Sequence, residues 1–186
     1  MASHLEVETK FKVENISETK KIIEKIADFI KRETKRDDYY ALKKKGYPRK
    51  AFRIRYNGES YVVNFKNWVK RLYSDDIVVK REYEFELKTR NQLENFLELM
   101  KDLGFRKWIG KTKFNSPYSY KRDKHLIIEL NKVKNLGYFV ELEYLCNEKQ
   151  VKKAKKMIRK ALKDLNVKKS QINNTGYTKM LYEKKH

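Results

Sequence analysis

The sequence is poor in the residues that form cross-links and soft metal sites. Its 186 residues include one cysteine, Cys146, and three histidines, His4, His125 and His186. A single cysteine cannot form an intramolecular disulfide, and these residues are too few and too scattered to assemble a zinc site based on cysteine or histidine. Both kinds of site are therefore excluded.

Long apolar runs are also missing. No stretch approaches the roughly 18 apolar residues that a membrane-spanning helix needs, and the first residues lack the pattern of a signal peptide. We expect a soluble, cytoplasmic protein that does not contact membranes. The hydrophobic fraction of 40% is enough for a core of ordinary size. We expect residues 1–186 to form a single domain.

Acidic residues are outnumbered by basic ones. The chain has 46 lysines and arginines against 25 aspartates and glutamates, which gives a net charge of +21. Such an excess predicts attraction to polyanions, of which nucleic acids are the most common. The lysines are spread over every segment, however, and a site for several phosphate groups also needs many cations. The charge alone leaves both interpretations open.

Residues 4–13 alternate strictly between two kinds of side chain, which is typical of a β-strand. One face of this strand is suited to packing against helices and carries Leu5, Val7, Thr9, Phe11 and Val13. The other face is charged and carries Glu6, Glu8, Lys10 and Lys12. Side chains two residues apart on one face are separated by about 7 Å, so these charges lie side by side.

Charged strand faces recur along the chain, and each has nearly uniform sign. Basic faces are predicted at Arg53 and Arg55, at Asn64 and Lys66, and at Lys111 and Lys113. Acidic faces are predicted at Glu82, Glu84 and Glu86, at Glu129, and at Glu141 and Glu143. A closed sheet would enclose such faces and remove its own edges. We predict an α+β fold, a closed antiparallel β-barrel of about eight strands with helices packed on the outside.

The motifs on these strands resemble those of the CYTH superfamily of triphosphate tunnel metalloenzymes. The E-x-E-x-K pattern of that family reads Glu6-Val7-Glu8-Thr9-Lys10, and the basic and acidic pairs follow in the family's order over nearly the whole chain. The segment 129–139 is most similar to an archaeal branch described as class IV adenylate cyclase-like. The resemblance implies a charged tunnel, Mg²⁺ or Mn²⁺ as cofactor, and a triphosphorylated substrate.

The same resemblance implies roles for individual residues. The catalytic set would be Glu6, Glu8, Lys10, Glu141 and Glu143. The metal ligands would be Glu6, Glu8, Glu141 and Glu143, with Glu84 and Glu129 as further candidates. The phosphate-binding residues would be Lys10, Arg53, Arg55, Lys66, Lys111, Lys113 and Lys179. These types suit the roles, because Mg²⁺ and Mn²⁺ prefer carboxylate oxygens and arginine binds phosphate through two parallel hydrogen bonds.

The chain departs from the family pattern at three positions. Asn131 and Tyr138 stand where most members have aspartate, and Lys113 stands where arginine is favoured. Glu129, two residues before Asn131 on the same strand face, could supply the missing ligand. The segment 37–40 resembles a D-x-Y segment of the family, in which ordinary packing is the expected role of the tyrosines.

Turn and cap signals place the remaining elements. Asn57-Gly58 predicts a hairpin between the strands of Arg53 and Lys66. Ser17, Thr89 and Asn147 are suitable N-caps for three amphipathic helices, and Thr89 forms a capping box with Gln92. We expect the last stretch, 175–182, to return as a strand that closes the barrel and brings Lys179 to the tunnel.

The sequence leaves the reaction open. Water attacking the terminal phosphorus would make the protein a triphosphatase, whereas the ribose 3′-hydroxyl of ATP attacking the α-phosphorus would make it an adenylate cyclase. ATP, tripolyphosphate and thiamine triphosphate are the candidate substrates, and the protein would be a monomer or a homodimer. The alternative is a non-catalytic module that binds polyphosphate, a nucleotide or the 5′-triphosphate of RNA.

Overall fold

A computed structural model describes residues 4–42 and 46–185. Within these ranges the strands are β1 (Leu5–Lys12), β2 (Ala27–Phe29), β3 (Glu33–Leu42), β4 (Ala51–Tyr56), β5 (Tyr61–Trp68), β6 (Val78–Leu87), β7 (Phe105–Tyr120), β8 (Leu126–Val133) and β9 (Gly137–Cys146). The α-helices are α1 (Ile16–Ile26), α2 (Arg90–Asp102), α3 (Val151–Asp164) and α4 (Tyr177–Glu183). None of the described helices has the length and apolar character needed to cross a membrane.

The strands form one sheet in the order β2-β7-β3-β4-β5-β6-β1-β9-β8. Because β7 also pairs with β8, the order closes on itself and eight of the strands form an antiparallel barrel, to which the short β2 is added on β7. The predicted α+β fold with a closed barrel of eight strands is therefore confirmed. β1 lies between β6 and β9, so the strand with the strictest alternation has a hydrogen-bonded neighbour on each side.

The described chain divides into two compact units. Unit 1 comprises residues 4–34, 67–82 and 113–175, and unit 2 comprises residues 35–42, 46–66, 83–112 and 176–185. Four strands, β3, β5, β6 and β7, contribute residues to both units. The single domain over residues 1–186 stays a prediction.

Unit 1 has its core between the apolar face of its strands and α3. Val7 of β1 and Leu142 of β9 are fully buried in one cluster with Ile158 of α3. Helix α1 also packs there, through Ile23. Its N-cap is Asn15, whose side chain accepts a hydrogen bond from the backbone N–H of Glu18, so the prediction of Ser17 was wrong. Asparagine and serine are equally good caps. Because β1 ends at Lys12, Asn15 is available as the N-cap and the helix begins before Ser17.

Unit 2 has a smaller apolar cluster between α2 and the hairpin β4–β5. Leu93 of α2 is buried there with Phe52, Ile54 and Val63. The predicted capping box of Thr89 and Gln92 is present at the start of α2. The predicted hairpin is also present, since β4 pairs antiparallel with β5 around Gly58, which has a φ of +106° that glycine adopts at little cost.

The C-terminal prediction was wrong. The stretch 175–182 does not return as a strand, because residues Tyr177–Glu183 form α4, and β7 closes the barrel instead by pairing with β8. Tyr177 and Leu181, four residues apart, are both buried, which is the spacing of one helix face. Lys179 therefore lies on a helix, with 51% of its side chain exposed and its ammonium 3.7 Å from the carboxylate of Glu183.

Candidate metal and phosphate-binding sites

The strand register of unit 1 brings acidic residues from distant parts of the chain into adjacent positions. Glu8 of β1 is paired with Glu143 of β9, and Glu141 of β9 is paired with Glu129 of β8. Directly paired side chains on antiparallel strands have Cβ atoms about 4.5–5.5 Å apart. These glutamates alternate with the apolar residues that face α3, so they lie on the opposite face of the sheet.

The carboxylates form two overlapping groups. One oxygen from each of Glu6, Glu8 and Glu143 lies within 4.8 Å of the others, and the same is true of Glu129, Glu141 and Glu143. Glu6, Glu8, Glu129 and Glu141 are each no more than 6% exposed. The donor set consists of carboxylate oxygens from these four buried residues and from the half-buried Glu143, and such oxygens are the ligands of hard divalent cations. Five of the predicted metal ligands are thus brought together.

Glu143 belongs to both groups and is short of favourable partners. Within residues 4–42 and 46–185 its carboxylate accepts no hydrogen bond and forms no ion pair. Burial, together with the negative charges of Glu129, Glu6 and Glu141, holds its pKa well above the ordinary value. A carboxylate in this position gains most from a cation placed beside it.

Lys113 neutralises the second group of carboxylates. Its Nζ lies 2.6 Å from Glu129 Oε2 and 3.1 Å from Glu141 Oε2. Burial alone would lower the pKa of this ammonium, but the charges of Glu141, Glu129 and Glu143 outweigh that effect and raise it. The ammonium of Lys113 is therefore held charged within the carboxylate cluster.

Two asparagines add hydrogen bonds to the same carboxylates. Asn131 Nδ2 donates to Glu141 Oε2 over 2.9 Å and to Glu129 Oε2 over 3.3 Å. Asn115 Nδ2 donates to Glu129 Oε1 over 2.7 Å. Both amides act here as donors to the carboxylates. Three of the four oxygens of Glu129 and Glu141 thereby accept hydrogen bonds from buried donors.

The first group of carboxylates has a different environment. Lys80 of β6 donates a hydrogen bond to Glu8 Oε1, and its Nζ lies 4.9 Å from the centre of the Trp68 ring. The hydroxyl of Tyr73 is buried with no hydrogen-bond partner in the described part of the chain. Burial and the charge of Glu8 raise the pKa of that hydroxyl. Lys10 is 3% exposed and is paired with Glu141 across the β1–β9 ladder.

Unit 2 contains a separate cluster of basic residues around Asp37. Arg55 binds this carboxylate through two hydrogen bonds, from Nε to Oδ1 over 2.6 Å and from Nη2 to Oδ2 over 3.0 Å. Lys111 Nζ lies 2.9 Å from Asp37 Oδ2 and 5.5 Å from the centre of the Tyr39 ring. Burial would raise the pKa of Asp37, but Lys111, Arg55 and Arg53 outweigh it and lower the pKa strongly. Asp37 is therefore ionised and holds two of the predicted phosphate-binding residues in place.

Two other candidates lie outside the carboxylate groups. Glu84 is half exposed, accepts a hydrogen bond of 2.9 Å from Asn64 and lies 3.7 Å from Arg53 Nη2, and it is in neither group of carboxylates found among the described residues. The structure thus gives no support to Glu84 as a metal ligand. Lys66, at the end of the same strand as Asn64, is half-buried.

The profile of the CYTH domain family matches residues 4–177. The chain belongs to this family. CYTH proteins of the triphosphate tunnel type use a divalent metal, and the carboxylates of unit 1 are a donor set that fits one. No curated protein sequence matches the chain.

Solved structures with the same fold come from several different organisms. The PH1819 protein from Pyrococcus horikoshii has a TM-score of 0.75 at 24% identity, covering 96% of this chain and 99% of its own. A candidate adenylate cyclase from Vibrio parahaemolyticus has a TM-score of 0.71 at 14% identity, covering 95% and 97%. A candidate adenylyl cyclase from Hippeastrum, described with a dominant triphosphatase activity, has a TM-score of 0.58 at 15% identity, covering 87% and 88%. At these identities the likeness shows the fold.

Sequence reasoning assigned no site role to three residues of the two clusters in this CYTH chain, Lys80, Asn115 and Asp37. Lys80 lies two residues before Glu82 on the same predicted strand face, and Asn115 lies two residues after the predicted site residue Lys113. Continuing each face by one residue would have found both. Asp37 was noticed only through the family's D-x-Y segment, because neither face of β3 is apolar enough to reveal a strand.

Proposed function

We propose that this CYTH domain is a metal-dependent triphosphatase, acting on tripolyphosphate or a nucleoside triphosphate. The observation that carries the proposal is a cluster of four buried carboxylates and the half-buried Glu143, which has neither a hydrogen-bond donor nor an ion-pair partner among the described residues. Such a cluster reduces the stability of the fold unless a cation binds, so a metal site explains why it is present. Family membership supports the same role.

The proposed metal ligands are Glu6, Glu8 and Glu143. When bound there, Mg²⁺ or Mn²⁺ would supply Lewis-acid activation and neutralise charge on phosphate oxygens. Lys10 and Lys80, which are buried beside the carboxylates, would attract the anionic substrate and hold the glutamates in position. No histidine is needed, because phosphoryl transfer depends mainly on positioning and on neutralising developing charge.

The proposed phosphate-binding residues of unit 2 are Arg53, Arg55 and Lys111. Asp37 is bound by Arg55 and Lys111 and limits the rotamers of both side chains. A cation that is already oriented loses less conformational entropy when it binds a ligand. Lys66, Lys113 and Lys179 stay predicted phosphate-binding residues, and the exposed helical position of Lys179 favours it least.

Hydrolysis is favoured over cyclisation on chemical grounds. Water is always present, whereas a ribose 3′-hydroxyl must be held in line with the α-phosphorus. The Hippeastrum protein, a candidate cyclase described with a dominant triphosphatase activity, is consistent with this preference. Cyclisation of ATP remains the second candidate because the segment 129–139 resembles the class IV cyclase-like branch. The cytoplasmic location, the oligomeric state and the choice between Mg²⁺ and Mn²⁺ stay predictions.

The identity of the products tests this proposal. Incubation with tripolyphosphate and with ATP is expected to release inorganic phosphate in the presence of Mg²⁺ or Mn²⁺, and EDTA is expected to stop the release. Cyclic AMP with stoichiometric pyrophosphate from ATP would instead identify a cyclase. Tight binding of tripolyphosphate, ATP or triphosphate-ended RNA without any product, measured by calorimetry, would identify a binding module and contradict the proposal.

A further inference from the structure

The two carboxylate groups of unit 1 differ in how much of their charge is already neutralised. Lys113 Nζ lies within hydrogen-bonding distance of both Glu129 and Glu141, and the amides of Asn131 and Asn115 donate to the same two carboxylates. These donors are themselves buried, at 5% exposure or less. A divalent cation bound by Glu129 and Glu141 would have to displace an ammonium that cannot move into water without leaving the core.

The other group, of Glu6, Glu8 and Glu143, is the better binding site for a divalent cation. Glu6, Glu8 and Glu143 have carboxylate oxygens within 4.8 Å of one another. Lys80 binds one oxygen of Glu8, and Glu143 accepts no hydrogen bond from any residue in the described ranges. An ion at this position would be the missing partner of Glu143.

We propose that Lys113 takes the place of one metal ion in this cluster, so that the protein binds a single divalent cation, at Glu6, Glu8 and Glu143. The inference deepens the proposed function, because it rests on metal binding by these carboxylates. On this inference Lys113 determines how many metal ions bind. Its ammonium occupies the position beside Glu129 and Glu141 that a second metal ion would otherwise take.

The number of bound Mn²⁺ ions tests this inference without any measurement of turnover. Calorimetric titration of the wild type with Mn²⁺ is expected to give one ion per chain, with the electron paramagnetic resonance spectrum of an isolated Mn²⁺. Lys113→Met keeps most of the side-chain volume and removes the charge, and it is expected to bind two ions. Because the two ions would share Glu143, their spectrum should show magnetic coupling.

Lys132→Met is the matched control. Lys132 is on the same sheet as Glu129 but its side chain is exposed, beside the ring of Tyr138. This variant has the same change in charge and is expected to bind one ion. Lys113→Gln, which keeps a hydrogen-bond donor, replaces Lys113→Met if the latter does not fold.

The outcomes separate this inference from the proposed function. Two ions bound to the wild type, or one ion bound to the folded Lys113 variant, would overturn the inference whatever the enzyme's activity. One ion in the wild type and two in the variant, with no product from any triphosphate, would support the inference and overturn the triphosphatase. Binding of no Mn²⁺ by the wild type would overturn both.

Discussion

Glu143→Gln is expected to make the metal-free protein more stable and at the same time to remove most of its metal-dependent turnover. Glu143 is the carboxylate shared by both groups, and its pKa in the folded protein is raised by burial and by Glu129, Glu6 and Glu141. Glutamine has the same shape without the charge. The variant thus removes the repulsion between Glu143 and its neighbouring carboxylates in the metal-free protein, and it also removes a proposed metal ligand.

The pH dependence of this effect follows from the direction of the pKa shift. A carboxyl group whose pKa is raised by folding binds its proton more tightly in the folded state than in the unfolded state. Its destabilising effect is therefore absent below the ordinary pKa of 4.5 and grows as the pH rises through the raised folded value. In EDTA, the gain in melting temperature of Glu143→Gln over the wild type should accordingly be larger at pH 8 than at pH 4.

We expect a gain of about 2–4 °C at neutral pH, which corresponds to about 1 kcal/mol in a chain of this size. The loss of turnover should be at least about 100-fold, the scale observed when one group that stabilises transition-state charge is removed. Melting curves in EDTA and turnover with Mn²⁺ give the two readouts. Glu59→Gln, at an exposed turn, should change neither. A lower melting temperature in EDTA, or full turnover, would contradict the assignment of Glu143.

Asp37→Asn is expected to be the most destabilising single substitution of the basic cluster. The side chain of Asp37 is fully buried, and the partners that it neutralises, Lys111 and Arg55, are 8% and 19% exposed. Removing one partner of a buried ion pair typically costs about 3–5 kcal/mol, because the other charge stays buried. For this chain length the cost corresponds to a fall in melting temperature of about 6–20 °C.

Acid should reduce the difference between the wild type and Asp37→Asn. The pKa of Asp37 is lowered in the folded state, so its contribution to stability is complete above the ordinary value of 3.8 and is lost as the pH falls through the folded value. Thermal melting at pH 7 and at progressively lower pH measures this dependence. Asp38→Asn is the matched control, since Asp38 is the next residue on the same strand but is exposed and pairs with the exposed Lys107. An equal loss in both variants would mean that the cluster is not stabilising.

The predictable part of the fold is the part in which one strand face is apolar. β1 and β9 were found because charged and apolar residues alternate, and the hairpin β4–β5 because Asn57-Gly58 favours that turn. β3 was missed because its first six residues, 33–38, are all polar and show no alternation. The C-terminal segment was assigned to a strand although Tyr177 and Leu181 have helical spacing. The helical spacing of these two residues agrees with the structure, whereas the expected strand does not.

The candidate site was predictable in its residue types but not in its pairings. The E-x-E pattern is sufficient to select Glu6, Glu8, Glu141 and Glu143 as residues that share a chemistry. Which carboxylates the ammonium of Lys113 binds depends on the register of β7, β8 and β9. Glu129 is 16 residues from Lys113 in the sequence, and Glu141 is 28 residues from it. No local pattern specifies a register across such separations, because it is set by the packing of the opposite, apolar face.

The position of β1 between β6 and β9 determines when the carboxylate-bearing face of the sheet can form during synthesis. β1 is synthesised before the other described strands, yet its hydrogen-bonding partners are residues 78–81 and 139–146. Pairings between residues so far apart in sequence form late, because a long loop must be closed first. Glu6 and Glu8 thus wait in an unpaired strand until most of the chain has been made. The charges on that strand, which belong to the proposed site, are also expected to hinder edge-to-edge association of the nascent chain.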